Sequence, residues 1–113
     1  MEKDELKKML EFHHKWLDHK PEGKRACLRN ANLQDADLQS ANLQKADFEG
    51  ANLEDANLRK ADLRKACLQG ANLRWTNLQW ADLQGVNLRN ANLQDADLGW
   101  VDLQDARLPT ADD

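Results

Sequence analysis

The chain has 113 residues, the length of a single domain, and a mean hydropathy of -0.87, too low for an ordinary globular core of that size. Hydrophobic residues make up 41% but aromatic residues only 5%, tyrosine is absent, and Ala and Leu supply nearly all the rest, which is the composition of a repeat. Sixteen basic and twenty acidic residues give a net charge of -4 with neither sign in a long block, so a strongly basic surface for direct nucleic-acid binding is excluded, and no run approaches the roughly 18 apolar residues of a membrane span.

The N-terminal stretch MEKDELKKML lacks the apolar core of a secretory signal. Cys27 and Cys67 form no CxxC pair, so neither a disulfide framework nor a zinc knuckle is expected. A cytoplasmic protein with no cofactor and no membrane association is the expectation.

The first predicted element is an amphipathic helix over residues 4 to 19. Leu6, Met9, Leu10, His13, Trp16 and Leu17 recur at spacings of three and four and make one face, with Phe12 at its margin; Lys7, Lys8, Glu11, Lys15 and Asp18 lie opposite. Pro21 and Gly23 are expected to end it. The polar face mixes both charges, which argues against a membrane-surface helix and for a cap. His13, His14 and His19 lack acidic or cysteine companions at ligand spacing, so no metal site is predicted.

From Ala26 to Thr110 the sequence runs as seventeen uninterrupted pentads: ACLRN ANLQD ADLQS ANLQK ADFEG and onward. The central residue is Leu in all but one, Phe48, and the residue two before it is Ala except at Thr76, Val86 and Val101. A period of five suits neither regular element. In an α-helix each pentad advances about 500°, so the Leu positions wander around the cylinder. In a flat strand Ala and Leu of one pentad share a face, but the next Ala points away. The pattern closes when A-x-L is a short extended side with both apolar residues inward and the next two residues turn a corner, so that each pentad is one side of a polygon. Stacked polygons pair their backbones at about 4.8 Å, and the predicted core is Leu33, Leu38, Leu43, Phe48, Leu53, Leu58, Leu63, Leu68, Leu73, Leu78, Leu83, Leu88, Leu93 and Leu98. Each buried Leu contributes roughly 1.5 to 3 kcal/mol.

This A(N/D)LXX run over residues 26–110 resembles the pentapeptide-repeat family. The resemblance implies an all-β solenoid, a right-handed quadrilateral parallel β-helix with four pentads per coil, hence about four coils, behind an N-terminal helical cap. Sequence periodicity alone leaves three or four pentads per coil open, because the copied segment ANLQDADLQ recurs after 60 residues, a multiple of both. The expected organisation is a capping helix and linker at 1–25, the repeat rod at 26–110 and a tail at 111–113.

With four sides per coil every twentieth residue stacks. Asn32, Asn52, Asn72 and Asn92 then form a column suited to amide ladders, and Asn42, Asp62, Asp82 and Asp102 an acidic strip that Arg64 and Lys65 are placed to offset. Asn30, Gly50, Gly70 and Asn90 share a corner column that reads as a tighter turn than the others. Cys27 and Cys67 fall two coils apart, about 10 Å, too far for a disulfide. Trp75, Trp80 and Trp100 occupy outward corners of the last coils. They either lie flat and shield the wall or, with Arg74, form an aromatic contact patch. The C-terminal stretch ARLPTADD predicts no helix, and Pro109 interrupts backbone pairing.

An enzyme is not expected: the rod is convex, its interior is filled, and Asp and Asn recur through repeat logic rather than as paired catalytic carboxylates. The reading that follows is a structural or protein-interaction module with a protein partner. The resemblance implies two more options, a homodimer through the C-terminal coil and a DNA mimic that binds a type II topoisomerase such as DNA gyrase. Against mimicry, Lys45, Arg59, Lys60, Arg64 and Lys65 put positive charge at mid-rod.

Overall fold

A computed structural model describes residues 1–109; Thr110 at the end of the repeat and the tail at 111–113 lie outside the described residues. Helix α1 spans Lys3–Leu17, with Asp4 and Glu5 in its first turn and His14 and Lys15 in its last, charges that complement the helix dipole. It ends two residues earlier than the sequence suggests. Asp18 leaves helical geometry and His19 takes φ 60, so the chain has already turned before Pro21. Gly23 then passes so close under the backbone of Trp16 that a Cβ would collide with its nitrogen.

From Cys27 onward every side of the solenoid contributes one bridge residue. Thirteen parallel bridges join residues twenty apart, from Cys27 with Asp47 to Asn87 with Arg107. That register settles four pentads per turn. The sides are too short for longer strands, and among the described residues all β pairing is by these isolated bridges.

The backbone accounting explains the repeat. The Leu N–H donates to the second residue of the next coil (Leu33 to Asn52 O, 2.7 Å), and the corner N–H to its fourth residue (Asp35 to Glu54 O, 3.0 Å). The second residue's N–H donates back to the Ala of the previous coil (Asn52 to Ala31 O, 2.9 Å), and the Ala N–H closes the turn onto the preceding Leu (Ala36 to Leu33 O, 3.0 Å). That leaves the N–H of the fourth residue. It is taken by the Asn or Asp side chain of the same pentad, as in Gln34 N–H to Asn32 Oδ1 at 3.1 Å, and every Asn and Asp at that position from Asn32 to Asp102 does the same. Asn or Asp is therefore favoured locally, although Cys27, Cys67 and Arg107 hold the same position without closing the turn this way. Among the described residues the expected amide ladder is reduced to one link, Asn72 Nδ2 to Asn52 Oδ1 at 3.3 Å, on an oxygen that also accepts from Glu54 N–H.

All corners share one conformation. From Asn30 to Asp105 the fifth residue has φ between 58 and 70, whether Gly, Asn, Asp, Lys, Ser or Trp. Positive φ at the third position of a turn closed from Ala N–H to Leu C=O is the signature of type II. The Gly and Asn column is thus no tighter than the rest. For a non-Gly residue the left-handed region costs about 1 to 2 kcal/mol, which burial of the neighbouring Leu offsets.

Leu33 through Leu88 of the predicted core, Phe48 included, are buried, and Leu28 joins them. Leu93 and Leu98 are only half-buried, because among the described residues no coil lies over them. Where Thr76 replaces Ala, its buried Oγ1 donates to Leu53 O at 2.8 Å, so the hydroxyl is accommodated without an unpaired group.

At the other end α1 lies across the first coil. Leu6, Met9 and Leu10 pack against the core, Trp16 and Leu17 are half-buried, and His13 is fully buried. A groove of about 630 Å³ remains beside the helix, lined by Met1, Leu6, Leu10, Leu33 and Ala36 among others.

Candidate functional site

The corner positions decide where the tryptophans stand. Trp80 and Trp100 share one corner column, one coil apart, and their rings stack with centroids 5.4 Å apart and planes within 12°. Trp80 is 52% and Trp100 77% exposed, so the outer ring shields little of the wall. Trp75 sits at the adjacent corner, 55% exposed, and forms no ring pair with the other two. Arg74 turns back along its own side: its Nη1 lies 4.0 Å from Glu54 Oε2 and its Nε is buried without a hydrogen-bond partner. The four residues predicted as one patch therefore divide into a stacked pair and a separate Trp75 and Arg74 corner.

Charge is distributed unevenly along the rod. In the acidic strip Arg64 bridges two rungs, with Nη2 2.7 Å from Asp62 Oδ2 and Nε 3.6 Å from Asp82 Oδ2. Burial alone would raise the Asp62 carboxyl, but the side-chain and backbone hydrogen bonds from Arg64 outweigh it and hold it below its ordinary value. Lys65, the other base expected here, makes no ion pair among the described residues; its stem lies against Gly85. From Ala91 to Ala106 the sequence carries Asp95, Asp97, Asp102 and Asp105 and no base, and none of these four is ion-paired among the described residues. Asp97 and Asp102 lie exposed on the two sides that meet at the Trp100 corner, and each spends Oδ1 on its own turn, on Gly99 N–H and Gln104 N–H. Gly99 stands between Asp97 and Trp100 where the earlier pentads carry Gln, Arg or Glu, and a Cβ there would meet Asp97 Oδ1 at 3.2 Å and the Gln79 side chain at 3.6 Å.

The residue missed by sequence reasoning is at the opposite end. His13 was placed on the packing face of α1, yet it is a two-sided hydrogen-bonding group. Ala26 N–H donates to its Nδ1 at 2.9 Å, so Nε2 carries the proton and donates to Gln44 O at 2.9 Å. Burial, reinforced by the positive charges of His14 and Arg25, keeps its pKa below the ordinary 6.5 despite the bond to Gln44. A polar residue on an otherwise apolar helical stripe is the signal that could have found it.

Among the described residues no group of three or more His, Cys, Asp or Glu is placed to hold a metal ion, and no helix is long and apolar enough to cross a membrane. Cys27 and Cys67 are free thiols in one column with Asp47 between them.

No curated protein matches the chain. Among solved structures it is similar to a pentapeptide repeat protein from the Arabidopsis thaliana thylakoid lumen, with 28% identity and a TM-score of 0.72 over 74% of this chain and 58% of that one. It also resembles the pentapeptide repeat protein Rfr23 from the cyanobacterium Cyanothece 51142, at 36% identity and TM-score 0.46 over 76% and 62%. A pentapeptide repeat protein from Nostoc PCC 7120 matches at 34% identity and TM-score 0.40 over 76% and 71%. The chain thus spans about three fifths of the length of the first two. The family model described as pentapeptide repeats matches residues 24–55, 36–74 and 71–108, the same stretch in which each Asn or Asp closes its own turn and each Leu fills the bore. The chain belongs to the pentapeptide-repeat family.

Proposed function

We propose that the chain is a non-enzymatic interaction module: a right-handed quadrilateral rod of about four coils at residues 26–110, capped by residues 1–25, that presents its C-terminal tryptophans to a protein partner in the cytoplasm. One observation carries the reading. Trp75, Trp80 and Trp100 occupy left-handed corners, where a bulky side chain is unfavourable and Gly or Asn would fit at lower cost, and all three are half or more exposed. Folding gains little from rings placed so, which favours a role in contact over a role in shielding. Arg74, beside Trp75, is the polar member of the surface.

The catalytic alternative is disfavoured, because the interior is filled with Leu and Ala and the carboxylates recur with the repeat, most of the second-position ones closing their own turns. The same ion pair weakens the DNA-mimic reading, since the acidic strip is interrupted at mid-rod where a duplex would be uniformly negative. An end-to-end homodimer is also weaker than a different partner. Among the described residues, Leu93, Asp95, Leu98, Trp100, Leu103 and Asp105 have N–H groups with no backbone acceptor, so two such ends would set donors against donors and carboxylates against carboxylates.

The test is a pull-down from the native host with wild type and a Trp75→Ala, Trp80→Ala, Trp100→Ala variant. A partner held by wild type and lost by the variant is expected; equal recovery overturns the assignment. Light scattering at high concentration checks for a monomer, and a gyrase supercoiling assay that shows inhibition at micromolar protein would instead favour mimicry.

A further inference from the structure

The geometry points to the outer face of Trp100, at the acidic end that Asp97 and Asp102 help to make, as a receptor for an arginine side chain of a basic protein segment. This rests on the interaction-module reading and names the partner's chemistry.

The stack has a direction. Its corner column reads Ser40, Lys60, Trp80, Trp100, so the inner ring looks toward a lysine one coil below while the outer ring's far face looks away from every base in that column. A ring face attracts cations through its quadrupole, most strongly for Trp. Asp97 and Asp102 are exposed on the two sides that meet at this corner, and each has Oδ1 held by its own turn, so the carboxylates are ordered before any ligand arrives. A guanidinium suits such a place better than an ammonium, because it is planar enough to stack on the ring and its fork of N–H groups matches a carboxylate. Two further aspartates at the last corners, Asp95 and Asp105, leave this end acidic against the one base of the last side, Arg107, a field that draws in a basic segment and repels a second copy of this end.

A short labelled peptide of alternating Gly and Arg is titrated against the full chain by fluorescence anisotropy at physiological salt, beside the same peptide with Lys for Arg. The Arg peptide is expected to bind more tightly than the Lys peptide. Trp100→Ala, which leaves the net charge unchanged, should weaken it roughly tenfold, and Trp100→Phe should restore part of the loss. Asp97→Asn with Asp102→Asn should weaken it as well, whereas Asp35→Asn with Asp37→Asn, at the other end of the rod, should not. Equal binding by Trp100→Ala, equal loss from the two Asn pairs, or no binding of the Arg peptide overturns the inference. A host partner lost on the triple tryptophan change while the Arg peptide fails would leave the module reading standing and remove only this one. Trp100 is mostly exposed, so the variants should melt like wild type; a matching thermal transition confirms that binding is read on folded protein.

Discussion

At the N-terminal end of the rod the first coil presents carbonyls that no earlier coil can use, and the capping segment answers two of them: His13 Nε2 of α1 donates to Gln44 O and the Met1 ammonium, just before α1, to Asn32 O. Inside the rod, carbonyls of the same two classes receive corner and Leu N–H groups. At the C-terminal end the last coil presents N–H groups, half-buried leucines and exposed tryptophans, and the described residues cover none of them. One end is sealed by mimicry of the coil's own hydrogen bonds, and among the described residues the other has no such seal. A cap that substitutes for backbone donors belongs to stability; rings held at costly corners belong to contact.

The comparison predicts where substitutions hurt. Phe48→Ala, in a fully buried layer, should cost about 3 to 5 kcal/mol in urea unfolding, while Leu98→Ala in the open last coil should cost about half as much or less. Equal costs would mean that the C-terminal end is covered after all. At the cap, His13→Ala leaves Ala26 N–H and Gln44 C=O without their partners and should cost about 2 to 4 kcal/mol. A change below about 0.5 kcal/mol would show that water replaces the imidazole freely.

Acid should act on the same end by a smaller amount. The folded state holds His13 neutral and its pKa below 6.5, so the unfolded chain binds more protons between the folded value and 6.5. The stabilisation is complete above pH 6.5 and is lost as pH falls through the folded pKa. A melting series across that window should show a decline that His13→Gln removes; an identical decline in the variant would assign it to carboxylates instead. The smallest effect is expected at the open end. Trp100→Gly, which relieves a left-handed corner, should leave stability unchanged or raise it by up to about 1 kcal/mol, and a loss beyond 1 kcal/mol would return the ring to a shielding role.

Much of the fold was legible because the repeat obeys packing rules that show in residue size. Leu at the centre and Ala two before it announce an interior too narrow for anything larger, and the column of Asp62 and Asp82 beside Arg64 followed from register alone. Three against four pentads per coil was not legible, since pairing between residues twenty apart is a tertiary fact with no local imprint. The uniform corner was hidden for a related reason: Lys, Asp and Trp occupy positive φ here only because stacked neighbours fix the turn, so composition pointed wrongly to the Gly and Asn column. At the candidate site, the exposure of the tryptophans and the pairing of Trp80 with Trp100 followed from the column. The separation of Trp75 and the turn of Arg74 toward Glu54 did not, because they depend on which side of the square each corner faces. His13 looked like one more packing residue until the chain returned Ala26 and Gln44 to its two nitrogens.

Amide hydrogen exchange at sub-micromolar concentration tests the contrast between the ends most directly. The account predicts slow exchange at Leu53, Leu63, Leu73 and Leu83, whose N–H groups donate to the next coil, slow exchange at Ala26 under His13, and fast exchange at Leu93, Leu98, Trp100 and Leu103. Protection at those four C-terminal amides equal to that of the central coils would contradict it, and would mean that the end read here as an open contact surface is already closed.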